Sequence, residues 1–286
     1  MRSWFRPAIC GFLLIAFNSV ANEPKQRIIT LSPHLAEIVT ELGATDQLVG
    51  VSDASNFPNA VKNIKVVSDF QNINLELIKQ LKPDLILIWK SGTSTKQQAA
   101  LQSIFKGTNT QLVQSDAISL MDISNEFERL GKIIGKEKNA QEVAKKFQAD
   151  LKKIEVDNQR KSPISVFYQA WPTPVMTING KHLISDMIKV CGGKQIFANE
   201  KILVPTVSIE AVIERNPEVV ITASEFTNSS TNNDLIWKKY PNMKVNQLGG
   251  YISINGDLMT RPTSRALIAT QQICSFLDQV REKRNK

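Results

Sequence analysis

The stretch "INLELIKQLKPDLILI", starting at Ile73, returns in altered form as "VSIEAVIERNPEVVIT", starting at Val207, and this repetition limits the folds open to the chain more than any other feature. In each copy a polar residue, Asn74 or Ser208, precedes an apolar residue and then Glu76 or Glu210. Leu75, Ile78 and Leu81 in the first copy, and Ile209, Val212 and Ile213 in the second, recur at helical spacing. Seven residues after the glutamate stands Pro83 or Pro217. Proline lacks an N–H and biases the residue before it away from helix, so each helix stops there. The runs that follow, "DLILIW" and "EVVITA", are too short for helices, and their unbroken apolar character fits strands covered on both faces of a parallel sheet. The copies lie 134 residues apart (76 to 210). That offset is about the size of a domain and far beyond a solenoid period, so the sequence predicts one helix-to-strand unit in each of two similar halves.

The first 21 residues stand apart from this pattern. Arg2 and Arg6 make a basic start, Ala8 to Phe17 is an apolar run, and Ser19-Val20-Ala21 is a small-x-small cleavage signal. Together they read as a secretory signal peptide cleaved near Ala21. The apolar run is about half the ~20 residues needed to cross a bilayer, so export is the expectation rather than anchoring. Cys10 lies inside the apolar run behind Ile9, where a lipoprotein signal would want a small residue. Export makes Cys191 and Cys274, the two cysteines left in the mature chain, candidates for a disulfide, because an even count in an oxidising compartment favours pairing. The alternative is two buried free thiols.

The rest of the chain has the composition of a globular protein, with 42% hydrophobic and 22% charged residues. Strands are predicted at 27–33, 47–52, 65–69, 84–89 and 111–116, with helical patterns between them, as in an α/β half with a mostly parallel sheet. A helix from about Ser119 ends at Gly135. Ala140, Val143, Ala144, Phe147, Leu151 and Ile154 then follow helical spacing, which predicts a helix from an Asn139 cap to about Asn158, some 30 Å long. A second set of strands is predicted at 164–169, 175–178, 218–223 and 243–248, with a helix over 181–191 and a last helix from about Thr263 to Glu282. The expected organisation is therefore a signal peptide (1–21), an N-terminal lobe (22–135), a linking helix (136–160) and a C-terminal lobe (161–286). The predicted fold class is α/β: two Rossmann-like lobes joined by one long helix, whose stiffness would limit opening.

Charge and motifs narrow the function classes. The net charge of +8 falls to +6 without Arg2 and Arg6, but the lysines are scattered, and "REKRNK" reads as the solvated end of a last helix, so nucleic acid is not an expected partner. No CxxC is present, and the only histidines, His34 and His182, are far apart, which argues against a resident metal. There is no G-x-S-x-G elbow or phosphate loop to support an enzyme.

Four segments carry a family resemblance: "ITLSP" with Glu37, "VSDFQNINLELIKQLKPDLILIW", "VFYQAWPTPVMTINGKHLISDMIKVCGG" and "RPTSRALIATQQIC". Over nearly all of its mature length the chain resembles the periplasmic cobalamin (vitamin B12) binding proteins of ABC importers. These are class III substrate-binding proteins, related to siderophore and haem binders. The resemblance implies a monomeric periplasmic protein that is not an enzyme and carries no cofactor of its own. It would hold cobalamin, with the ligand's own cobalt, between its lobes and deliver it to a permease dimer with its ATPase subunits. Glu76 and Glu210 match the residues that in such proteins meet arginines of the permease. The plainer reading of both is a first-turn acid that favours the helix dipole by typically ~0.3–1 kcal/mol. Phe70, Trp89 and Trp171 follow or close predicted strands, where their rings could flank a broad macrocycle, although each could instead pack into the core. Asp257, Leu258, Met259, Thr260 and Arg261 match a segment that lines the pocket, with Asp257 and Arg261 bonding amides at the corrin edge. Ala54, Ala170, Met176 and Val204 stand where the best-known members carry aromatics, with Trp171 beside Ala170 able to compensate, which suggests a roomier or weaker pocket, or one suited to a related corrinoid.

Two alternatives follow from the same residues. One is haem or ferric-siderophore binding by the same fold, with His34 or Tyr251 as an iron ligand for haem and Arg261 as the basic group for an anionic chelate. The other is an exported hydrolase, in which His34 or His182 would need partners that the sequence does not identify.

Overall fold

The computed structural model describes residues 25–224 and 235–286, so the expected signal peptide lies outside the described residues. The first half runs β1 (Ile28–Thr30), α1 (Pro33–Glu41), β2 (Leu48–Ser52), β3 (Val66–Ser68), α2 (Leu75–Gln80), β4 (Leu85–Trp89), α3 (Thr95–Ile104), β5 (Gln111–Ser115) and α4 (Leu120–Ile133). Its five strands form one parallel sheet in the order β3-β2-β1-β4-β5. The unbroken apolar run of β4 lies inside the sheet, between β1 and β5, with Leu85, Ile86, Leu87 and Ile88 all buried, as a strand covered on both faces requires.

Helix α5 (Glu137–Asn158) follows. At ~1.5 Å per residue its 22 residues span about 33 Å. Ala140, Ala144, Phe147, Leu151 and Ile154 form its buried face, and each large side chain there is stabilised by about 1.5–3 kcal/mol relative to exposure. The helix begins two residues before the expected Asn139 cap, with Lys136 in the cap position and no side-chain bond. Asn139 instead donates its amide to Leu42 O at 3.2 Å, tying α5 back to the end of α1. Gly131 lets α4 approach α5 closely, since a Cβ there would stand 2.1 Å from the Ala140 Cβ.

The second half contains β6 (Ile164–Gln169), β7 (Trp171–Pro172), β8 (Val175–Met176), α6 (Leu183–Val190), β9 (Gly193–Gln195), α7 (Ile209–Arg215) and β10 (Val219–Ala223), then α8 (Leu235–Lys238), α9 (Lys244–Leu248), β11 (Tyr251–Ile254), α10 (Gly256–Thr260) and α11 (Ala266–Arg284). Its parallel sheet has the order β11-β10-β6-β9. The expected strand at 175–178 is shorter and pairs antiparallel with β7 in a small hairpin outside that sheet. The expected strand at 243–248 is helix α9 instead, ended by Gly249 at φ +59°. Met243 and Val245 are both buried there, a pattern that two residues can show in either a strand or a single helical turn. The fourth strand of the sheet is Tyr251–Ile254, which begins once the chain has turned at Gly249 and Gly250.

Cys191 and Cys274 form a disulfide that joins the end of α6 to α11. One continuous apolar core runs from Ile28, Leu85 and Phe127 through Phe147 and Leu151 to Ile164, Ile184 and Leu277. The two sheets are therefore coupled by packed side chains as well as by α5. Leu120 N also donates to Asp186 Oδ2 at 2.9 Å, linking α4 to α6. Among the described residues no helix is long and apolar enough to cross a membrane.

Candidate functional site

In the strand order β3-β2-β1-β4-β5 the chain reverses direction of progress between β1 and β4, so the loops leaving their carboxyl ends diverge and open a crevice. A cavity of about 680 Å³ occupies that place. Its lining comes from the loops after β1 (Leu31 to His34), β2 (Ser52 to Asn56), β3 (Ser68 to Phe70) and β4 (Trp89 to Thr93), with α10 (Gly256, Asp257, Thr260 and Arg261) opposite. This volume is usual for a small-molecule cleft.

Trp89 ends β4 and its ring folds over Gly92, whose imagined Cβ would fall 1.9 Å from the indole. The His34 ring meets Trp89 edge to face, with centroids 5.4 Å apart. Burial, and secondarily the positive charge of Arg261, pushes the His34 pKa down to about 3, so the imidazole is neutral at ordinary pH. Phe70 is 96% exposed at the cavity rim. Its loop is nevertheless held, because Asp69 Oδ1 accepts from the backbone N–H of Gln71 at 2.7 Å and of Asn72 at 2.6 Å. A large ring presented to water on a fixed loop is surface available to a ligand.

The opposite wall is polar and already internally paired. Arg261 donates through NH1 to Glu37 Oε1 and Asn56 Oδ1, both at 2.7 Å, and through NH2 to Ala54 O at 3.2 Å. Its NH2 also pairs with Asp257 Oδ1 at 2.6 Å, and Asn56 donates to Asp257 Oδ2 at 3.0 Å. The expected ligand-facing guanidinium is thus anchored by protein groups at both terminal nitrogens, while Asp257 keeps more of its carboxylate open to the cavity. Three carboxylates, Asp53, Asp69 and Asp257, face the cavity against one guanidinium.

Phe70, Trp89, Asp257, Thr260 and Arg261 line one space, and Ala54 lines it too. Trp171, Leu258 and Met259 do not line it, nor do Ala170, Met176 and Val204. Trp171 is 44% exposed on the β7–β8 hairpin. Leu258 packs half-buried against the core, and Met259 is fully buried within it. Met259 lies away from the lining because α10 is helical, so successive side chains point in different directions and only one face meets the cavity. Tyr251, considered above as an iron ligand, donates its hydroxyl to Asn246 Oδ1 at 2.7 Å and is also outside the lining. Asn56, Ser91 and Gln97 line the cavity without having been singled out in the sequence. The signal that could have found Asn56 and Ser91 was their position just past carboxyl ends of predicted strands.

Glu76 and Glu210 are both exposed, each as the second residue of a capped helix. Asn74 Oδ1 accepts from Leu77 N at 3.0 Å, and Ser208 Oγ from Ala211 N at 3.1 Å.

Comparison with known proteins places this geometry. A vitamin B12-binding protein of Vibrio parahaemolyticus is 33% identical over 279 residues, covering 96% of this chain and 98% of that one. The crystal structure of the periplasmic vitamin B12 binding protein BtuF of Vibrio cholerae superposes with a TM-score of 0.80 at 31% identity, covering 90% of this chain and 98% of that one. The periplasmic heme-binding protein RhuT from Roseiflexus sp. RS-1 shares the fold, with a TM-score of 0.77 at 18% identity over 90% of this chain and all of that one. The profile of the family described as periplasmic binding protein matches residues 28–238, and on that match and these relatives the chain belongs to the periplasmic binding protein family.

Proposed function

We propose that this protein captures cobalamin in the cleft beside α10 and delivers it to an ABC importer, working in the periplasm after removal of residues 1–21. The observation that carries the reading is the chemistry of the cavity: aromatic rings of Phe70 and Trp89 on one side, and a lining whose formal charge is negative. A neutral macrocycle rimmed with amides suits both, since its flat face gains apolar contact and its amide N–H groups can donate to Asp257 and its neighbours. An anionic ferric chelate would face three carboxylates with only Arg261, already paired, to attract it. The relatives named as vitamin B12-binding proteins support the same ligand.

In this reading the lobes are residues 22–135 and 161–286, linked by 136–160. Phe70, Trp89, Asp257, Thr260 and Arg261 form the ligand site, with Trp171 and Leu258 reaching the ligand only at its periphery. Glu76 and Glu210 dock one lobe each on a permease dimer served by its ATPase subunits. The protein acts as a monomer, carries no cofactor and makes or breaks no bond in its ligand.

A second reading, haem binding, is favoured by one observation: His34 lines the cavity with a neutral imidazole. The acidic lining opposes it, because haem brings carboxylates of its own. Spectral and calorimetric titration of the mature protein with cyanocobalamin, haemin and a ferric siderophore separates the readings. Tight, saturable cyanocobalamin binding supports the proposal; a tight haemin complex without corrinoid binding overturns it in favour of haem.

A further inference from the structure

We infer that Glu37 is a positioning residue for ligand capture, acting through Arg261 to hold the α10 wall of the cavity against the opposite half of the molecule. The inference rests on the cobalamin-capture reading for its ligand but on geometry for its mechanism. Glu37 lies on α1 in the first half, 3% exposed. Its carboxylate accepts from Arg261 NH1 at 2.7 Å, Arg265 Nε at 2.9 Å and Arg265 NH2 at 2.5 Å. Both arginines sit between α10 and the first turn of α11, more than two hundred residues away in the chain. Arg265 is further fixed by stacking on Phe57, 4.1 Å from the ring centroid.

A buried carboxylate shared by two guanidiniums has few alternative arrangements, because pulling any member away leaves a charge in a poorly solvated place. The consequence for the cavity runs through α10. That helix has only five residues, too few to hold itself by backbone hydrogen bonding, so its position depends on what secures its ends. At its start Asn255 Oδ1 accepts from Asp257 N and Leu258 N. At its end Arg261 is held by Glu37 and Asn56. Asp257 and Thr260, which face the cavity, therefore take their places from a contact that Glu37 makes behind the wall.

The test compares Glu37→Gln, Arg261→Gln and the double variant, each checked for native near-UV circular dichroism. Cyanocobalamin affinity is measured by calorimetry, and hydrogen exchange of residues 255–263 is measured without ligand. Glu37→Gln is expected to weaken binding about 10-fold, and the double variant to bind no more than about 2-fold worse than Arg261→Gln alone, since both act along one route. It is also expected to speed exchange in α10 of the free protein. Unchanged affinity in folded Glu37→Gln, or additive losses in the double variant, overturns the inference and points to a purely structural tie. Should Glu37→Gln fail to fold, Arg265→Gln is used, with a few-fold loss of affinity and faster α10 exchange expected; no change in either measurement overturns it. Absence of corrinoid binding by the unaltered protein would sink the capture reading, while the ligand-free exchange comparison would still decide whether Glu37 positions α10.

Discussion

The rings of His34 and Trp89 meet with their planes 88° apart, at the place where the loops after β1 and β4 separate. Each ring therefore limits the other: the imidazole is neutral and buried, and the indole lines the cavity. Gly92 completes the arrangement by leaving room for the indole where any side chain would collide.

Replacing Gly92 with Ala should displace the Trp89 ring and weaken cyanocobalamin binding at least about 5-fold with little loss of global stability. Trp89→Ala should cost about 10-fold or more, equivalent to about 1.4 kcal/mol, and Trp171→Ala clearly less, because only Trp89 lines the cavity. Calorimetric titration of the three variants checks this. Equal losses at Trp89 and Trp171 would mean the ligand sits closer to the β7–β8 hairpin.

Both histidines make stability depend on pH in the same direction. Burial lowers the pKa of His34 from 6.5 to about 3 and that of His182 from 6.5 to about 4. The unfolded chain thus binds more protons than the native one between these values. Their contribution is fully present above about pH 6.5 and is lost as pH falls toward the native-state values, amounting to about 2 kcal/mol from His34 by pH 5. Burial raises the pKa of Glu41, which works in the opposite sense, so the clean measurement is a difference between proteins. Urea unfolding at pH 7.5 and pH 5 should show a smaller decline in His34→Gln than in the unaltered chain. Parallel declines would show that His34 is not the titrating group.

The disulfide closes a loop of 83 residues between Cys191 and Cys274. In the chain-entropy description, removing it should cost about 4.5 kcal/mol, mostly by freeing the unfolded chain. Replacing both cysteines with Ser should lower the midpoint of chemical unfolding markedly while leaving corrinoid affinity within a few-fold, because neither cysteine lines the cavity. A large loss of affinity at full folding would show that α6 and α11 influence the cleft.

Exchanging Glu76 and Glu210 together for Gln removes two exposed charges and leaves both caps, Asn74 and Ser208, in place. Association with the importer in vesicles should weaken at least about 10-fold, with ligand affinity unchanged within about 2-fold. Unaltered association at low salt, where exposed charges count most, would refute docking through this pair.

Local signals were enough for much of the architecture. The helices before Pro83 and Pro217 stop where the prolines predict, with left-handed Lys82 or Asn216 just ahead of each proline, the apolar run at Leu85–Ile88 demands cover on both faces, and the periodic residues from Ala140 to Ile154 define a buried helical face. The parts that failed were short or depended on distant partners. Residues 244–248 form a helix although Met243 and Val245 alternate like a strand, because two buried positions cannot tell one period from the other. Asn139 looked like a cap, yet its amide found Leu42 O across the fold.

Two α/β halves around a long helix, a pair of cysteines and the aromatic ends of strands are legible along the chain, since proline geometry and hydrophobic period act over a few residues. Only tertiary structure decided that Met259 turns into the core while Asp257 faces the cavity, and that Arg261 spends its guanidinium on Glu37, Asn56 and Asp257. Buried charges must find partners wherever the folded chain brings them, and nothing along the chain near Arg261 announces a carboxylate 224 residues away.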